Sequence, residues 1–173
     1  MNQHSRWNLL PAFYALGGML ILIPAIELII TSWPAQPALL NWRFGLLGLI
    51  ANSLLFPSIG LGILLLTAER SGHRGALLGL GTAGVAGCLF LITGLGTFAL
   101  DVVQLRSLVA GPARVGYDAV VAKASINLLI AAVVWGWAGY LGIRAALGMK
   151  SMERASKASN PPLRPRKAAQ TVG

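Results

Sequence analysis

The chain alternates between long apolar runs and short polar connections. Asn8 to Ser32 contains one charged residue, Glu27, and Phe44 to Ala68, Gly75 to Leu100 and Ala124 to Ile143 contain none. At ~1.5 Å per residue, helices of twenty to twenty-five residues cover the ~30 Å hydrocarbon core of a bilayer. A transmembrane β-barrel would show instead short segments of alternating polarity. The pattern predicts an all-α integral membrane protein, a four-helix bundle occupying residues 1–147, with spans over about 9–32, 44–68, 75–100 and 124–146. The first run follows Arg6, as a signal peptide would, but it is too long for a typical signal-peptide core. Trp33 and Pro34 also stand where a cleavage site needs small residues, so the run is read as a retained span.

The connections sharpen these boundaries. Trp7, Trp33 and Trp42 flank the first two spans at the depth where indole rings settle among headgroups. Pro34 and Pro37 stiffen the first loop, and the short loop around Gly72 forces the second and third spans into an antiparallel pair. From Asp101 to Lys123 the chain is expected to form a short outer amphipathic cap. In that cap Val102, Leu105 and Val109 prolong the third span, Gly111 and Pro112 break it, and a second short helix from Ala113 carries Arg114 and Asp118 at i, i+4. Residues 148–173 read as a basic tail that is disordered beyond about Ser156, since Asn160, Pro161, Pro162 and Pro165 oppose helix. No internal repeat is evident.

Charge then orients the chain. Of the 14 Lys and Arg residues, ten lie at the termini or beside the 67–75 loop, while Arg43, Arg106, Arg114 and Lys123 lie on the other side. Cytoplasmic segments carry the excess, so both termini are expected in the cytoplasm of a bacterial-type inner membrane. The formal net charge of +9 follows from this topology and from a tail suited to anionic lipid headgroups. It does not point to nucleic acid.

Four sets of residues bear on chemistry. Gly79, Gly81 and Gly84 spell GxGxxG, but inside an uncharged span the motif lacks the strand and open helix N-terminus that a dinucleotide site needs. The same stretch is better read as helix packing, with Gly75, Gly79, Ala83 and Gly87 forming a small-residue ridge. That ridge either packs inside the bundle or faces another protein.

Glu27 is a carboxylate in a span, where a charge costs ~2.5 kcal/mol or more at the bilayer centre. It heads a candidate outer-leaflet polar cluster with Arg43, Asn52, Asp101, Gln104 and Asn127. Its plainer reading is a group reaching the nearby headgroups or pairing with Arg43. Trp135, Trp137 and Tyr140 are candidate contacts for a lipid, pigment or quinone, though core filling is the commoner use of such rings. Finally, His4 and His73 both sit at the inner edge, which rules out a bis-His haem within one chain, and Cys88 is alone.

No nucleophile, metal-ligand set or nucleotide motif survives, so no enzymatic activity, metal or obligatory cofactor is expected. The leading functional expectation is an accessory or structural subunit of a larger membrane assembly, with membrane lipids and other membrane subunits as partners. Its rivals are a small proton-coupled transporter using Glu27, and a pigment- or quinone-binding protein using Trp135 and Trp137.

Overall fold

A computed structural model describes residues 9–159. Within them all regular structure is helical: α1 (Leu10–Ser32), α2 (Leu40–Ser53), α3 (Leu55–Arg70), α4 (Arg74–Arg106) and α5 (Ala113–Ser159). Three of these, α1, α4 and α5, are long and apolar enough to cross a membrane, and α2 with α3 qualify together as a pair bent by 48°. The chain therefore has three candidate spans, or four if the bent pair is one, consistent with a multi-pass membrane protein.

The bend corrects the expectation of a single helix over 44–68. Pro57 has no N–H to offer the carbonyl of residue 53, and its ring crowds that carbonyl, which is the usual cause of a sharp helix kink. Side chains bond the carbonyls around the break: the Ser53 hydroxyl donates to the Ile50 carbonyl at 3.2 Å and the Ser58 hydroxyl to the Leu54 carbonyl at 2.7 Å.

The outer connection also differs from expectation. α4 does run on past its apolar stretch, as far as Arg106. The second cap helix, however, is not separate, because α5 begins at Ala113 and continues without interruption into the last span. The two helices thus project as one hairpin whose turn is made by Gly111, at φ +65° in the left-handed region that glycine tolerates. The Tyr117 hydroxyl crosses the hairpin to the Val102 carbonyl at 3.0 Å, and Asp118 pairs with Arg106 at 3.2 Å rather than with Arg114. At the opposite end α5 remains helical to Ser159, so residue 148 is no helix boundary. The expected disorder of 160–173 lies outside the described residues.

Packing depends on glycine. At the α4–α5 seam a Cβ on Gly139 would stand 2.7 Å from the Val85 nitrogen and 2.8 Å from the Gly81 carbonyl oxygen, and one on Gly84 would stand 2.9 Å from the Gly139 Cα. The backbones are in direct contact there, which only missing side chains permit. α1 meets α3 in the same way at a single crossing, where a Cβ on Gly60 would lie 2.7 Å from the Gly17 carbonyl oxygen. Two apolar clusters flank these crossings, one around Phe98 and Leu128, the other around Leu77 and Ala146.

The outside is equally apolar. On α1 alone Met19, Leu22, Ile23, Ile26, Ile29 and Ile30 are each more than half exposed. A water-soluble monomer rarely carries a patch of that extent, whereas lipid tails solvate it.

Candidate functional site

Of the six residues expected to form an outer polar cluster, two meet. Arg43, in the first turn of α2, reaches Asp101 near the end of α4 with a two-pronged contact, Nη2 to Oδ1 at 2.9 Å and Nε to Oδ2 at 3.3 Å. Asp101 is 3% exposed, and the guanidinium is its partner while also donating to the Pro37 carbonyl at 3.4 Å. This fork geometry fixes both the separation and the rotation of the two helices. Phe44 continues the junction inward by stacking on Phe98 and Tyr117, with ring centroids 5.1 and 5.6 Å away. The Trp42 indole N–H donates to the Ser32 carbonyl at 3.0 Å and ties α2 to the end of α1.

The other four residues do not join this junction. Asn52 is exposed and donates to the Gly48 carbonyl of its own helix at 3.1 Å. Gln104 is exposed and Asn127 half-buried, and neither side chain makes a hydrogen bond among the described residues. Glu27 is exposed on α1 and bonds to no described residue, so the suggested Glu27–Arg43 pair is corrected: Arg43 is engaged by Asp101. Sequence order hid this, since residues 43 and 101 are brought together only by the packing of α2 on α4.

The aromatic set divides as well. Trp135 turns inward, lies over Gly87, and donates its indole N–H to the Ser58 hydroxyl at 2.8 Å. It therefore joins α4, α5 and the kink of α3 in one chain of contacts running Trp135, Ser58, Leu54 carbonyl. Trp137 and Tyr140 face outward, 64% and 52% exposed, with their rings 5.9 Å apart. Ser58 was missed by sequence reasoning. The available signal was a mid-span tryptophan, whose N–H needs an acceptor when buried.

The expected glycine ridge is mostly on the outside. Gly75, Gly79 and Ala83 are exposed and nothing lies within 4 Å of a Cβ placed on Gly75 or Gly79, while Gly87 does pack, under Trp135. The internal seam uses Gly81 and Gly84 instead. These are the other two glycines of the GxGxxG string, roughly 140–160° round the helix from Gly79.

At the opposite end the contacts are neutral or made to backbone. Tyr14 Oη stands 3.1 Å from both the Ser71 hydroxyl and His73 Nδ1, and Arg74 Nε donates to the Ala146 carbonyl at 3.1 Å. These join α1, the α3–α4 turn and α5. No group of three or more His, Cys, Asp or Glu side chains able to hold a metal ion occurs among the described residues. A groove of about 680 Å³ opens sideways between α3 and α5 near this end.

These features define a helical chain with three or four apolar segments able to cross a membrane, consistent with a multi-pass membrane protein, whose internal polar contacts join helices to one another. Protein-family models, curated proteins and solved structures offer no match to the chain.

Proposed function

We propose that the chain is a four-span accessory subunit of a larger assembly in a bacterial-type inner membrane, non-catalytic, with both termini in the cytoplasm. The observation that carries this reading is the position of Glu27. It lies on the outward face of α1, the least covered of the three long apolar helices. A carboxylate in a span normally faces protein or water rather than lipid, because lipid exposure costs a few kcal/mol. Here its own bundle supplies no partner among the described residues. A neighbouring protein carrying a basic or hydrogen-bonding group would satisfy it. The outward Gly75, Gly79 and Ala83 ridge offers a second surface suited to close approach by a foreign helix.

The carrier reading needs Glu27 beside a substrate path, and the exposure of its side chain, with no hydrogen bond to Asn52 or Asn127, speaks against that reading. The pigment or quinone reading loses Trp135, whose ring and N–H are taken by Gly87 and Ser58.

The test is photo-crosslinking in native membranes from positions 23, 26 and 30, with Glu27→Leu as the companion variant. The subunit reading expects defined adducts that Glu27→Leu abolishes while the purified variant remains as stable as the parent. A Glu27→Gln protein of unchanged stability that loses a pH-dependent ligand response would replace this reading with the carrier. Reporter fusions at Gly173 and in the Gly111 turn test the topology separately.

A further inference from the structure

We propose that the groove between α3 and α5 is a binding site for one aminophospholipid, a diacyl lipid whose headgroup carries both a phosphate and a primary ammonium. The inference rests on the membrane setting alone, and the subunit reading can fail without affecting it.

The groove walls are hydrocarbon. Leu65 and Leu66 of α3 face Val134, Trp137 and Leu141 of α5, and Leu77 of α4 belongs to the lining. Along α5 the lining runs from Val133 to Ala145, which at ~1.5 Å per residue is roughly 18 Å. Half of the ~30 Å hydrocarbon core is about 15 Å, so the groove matches one leaflet in depth. An acyl chain fits this shape, because the groove is long, apolar and open to the side from which lipid arrives.

One end of the groove is polar, and it is the end near the Arg74 contact with Ala146. There the lining includes Glu69 from α3 and Arg144 from α5. Both are exposed, and they make no ion pair with each other. A cation and an anion on opposite walls of one apolar slot, at the level where the helices leave the hydrocarbon, complement a zwitterion. Arg144 suits the phosphate, to which guanidinium donates in a fork. Glu69 suits the ammonium, whose three N–H donors need acceptors. A phosphatidylcholine headgroup presents the same charges without those donors, and a phosphatidylglycerol headgroup lacks the cation that Glu69 would meet. The site therefore distinguishes headgroups by hydrogen bonding as well as by charge.

The experiment is native mass spectrometry of the full chain released from nanodiscs of phosphatidylethanolamine and phosphatidylglycerol (7:3), compared with phosphatidylcholine and phosphatidylglycerol (7:3). The expected result is one retained phosphatidylethanolamine per chain, favoured over phosphatidylcholine by about three- to fivefold, the range of an exposed charged contact. Glu69→Gln should remove that preference while a phospholipid is still retained. Arg144→Gln should reduce retention of every phospholipid, and Ala138→Trp should occlude the groove and abolish it, with thermal stability in detergent confirming that each variant is folded. Equal retention of the two zwitterionic lipids by the parent, preferential retention of phosphatidylglycerol, or a preference unchanged in Glu69→Gln would each overturn the proposal. Retention of a second copy of the chain in place of lipid would do so as well.

Discussion

The α4–α5 pair and the α1–α3 pair are both antiparallel crossings of apolar helices, yet they are built to different depths. The first is a seam in which Gly81, Gly84, Gly139 and Gly142 bring backbone to backbone over about two turns, reinforced by Trp135 and by Arg74 on the Ala146 carbonyl. The second touches backbone at Gly17 and Gly60, and beyond that crossing α1 is tied by Tyr14 at one end and the Trp42 bond to Ser32 at the other, with Leu28 packed on the Phe98 and Leu128 cluster between them. In a bilayer lipid is as apolar as leucine, so contact area alone does not hold helices together. What differs between the pairs is how much dispersion contact and hydrogen bonding close approach allows. The seam is the more extensively built of the two contacts, and α1 is the least covered of the three long apolar helices.

That contrast can be broken most severely at the seam itself. Gly139→Leu should destabilise the protein by about 3 kcal/mol or more, because the added side chain meets the Val85 nitrogen and the Gly81 carbonyl oxygen of α4, backbone atoms that cannot rotate out of its way. Thermal unfolding in detergent measures it, and a native-like midpoint would mean that the two helices are not in contact at this level. Gly60→Leu should cost less, about 1–3 kcal/mol, since α1 can shift as a unit, and cysteine crosslinking between α1 and α3 should weaken before global unfolding does. Trp135→Phe removes the bond to Ser58 together with part of the fused ring that lies over Gly87, for an expected loss of roughly 1–2 kcal/mol. Gly79→Leu should change the stability of the isolated chain by less than ~0.5 kcal/mol, there being open space around it. A large loss at Gly79 would place that face inside the bundle and reverse the assignment of inner and outer ridges.

How much of this was legible beforehand depended on range along the chain. Long runs with one charge or none are local signals, and they marked the apolar segments of α1, α4 and α5, while the spacing of Val102 and Leu105 marked the continuation of α4 beyond Leu100. Pro57 was an equally local signal of the kink, but a hydropathy reading averages over it. The two ridges of α4 were not separable, because residues 79, 81, 84 and 87 are all glycine and only the position of α5 decides which of them are buried. Asp101 was recognised as a polar residue near a span end, but its partner sits 58 positions away and depends on how α2 lies against α4. Glu27 stands out in the sequence as the one carboxylate within an apolar run. Its lack of a partner among the described residues emerged only when Arg43 proved to be engaged elsewhere.

The seam between α4 and α5 has one further consequence, for how this sequence can drift. Most helix contacts tolerate change because a larger residue on one side can be matched by a smaller one opposite, so that substitutions travel in pairs. At Gly84 and Gly139 the opposing atoms are a Cα and a peptide nitrogen, which every residue type has. No replacement on the other helix can make room for a side chain there. These positions are cut off from compensating change, whereas Leu65 or Val134, at the groove between α3 and α5, can exchange volume with their neighbours. The protein can thus vary its lipid-facing and groove-facing surfaces widely while the relative placement of its two longest helices stays fixed.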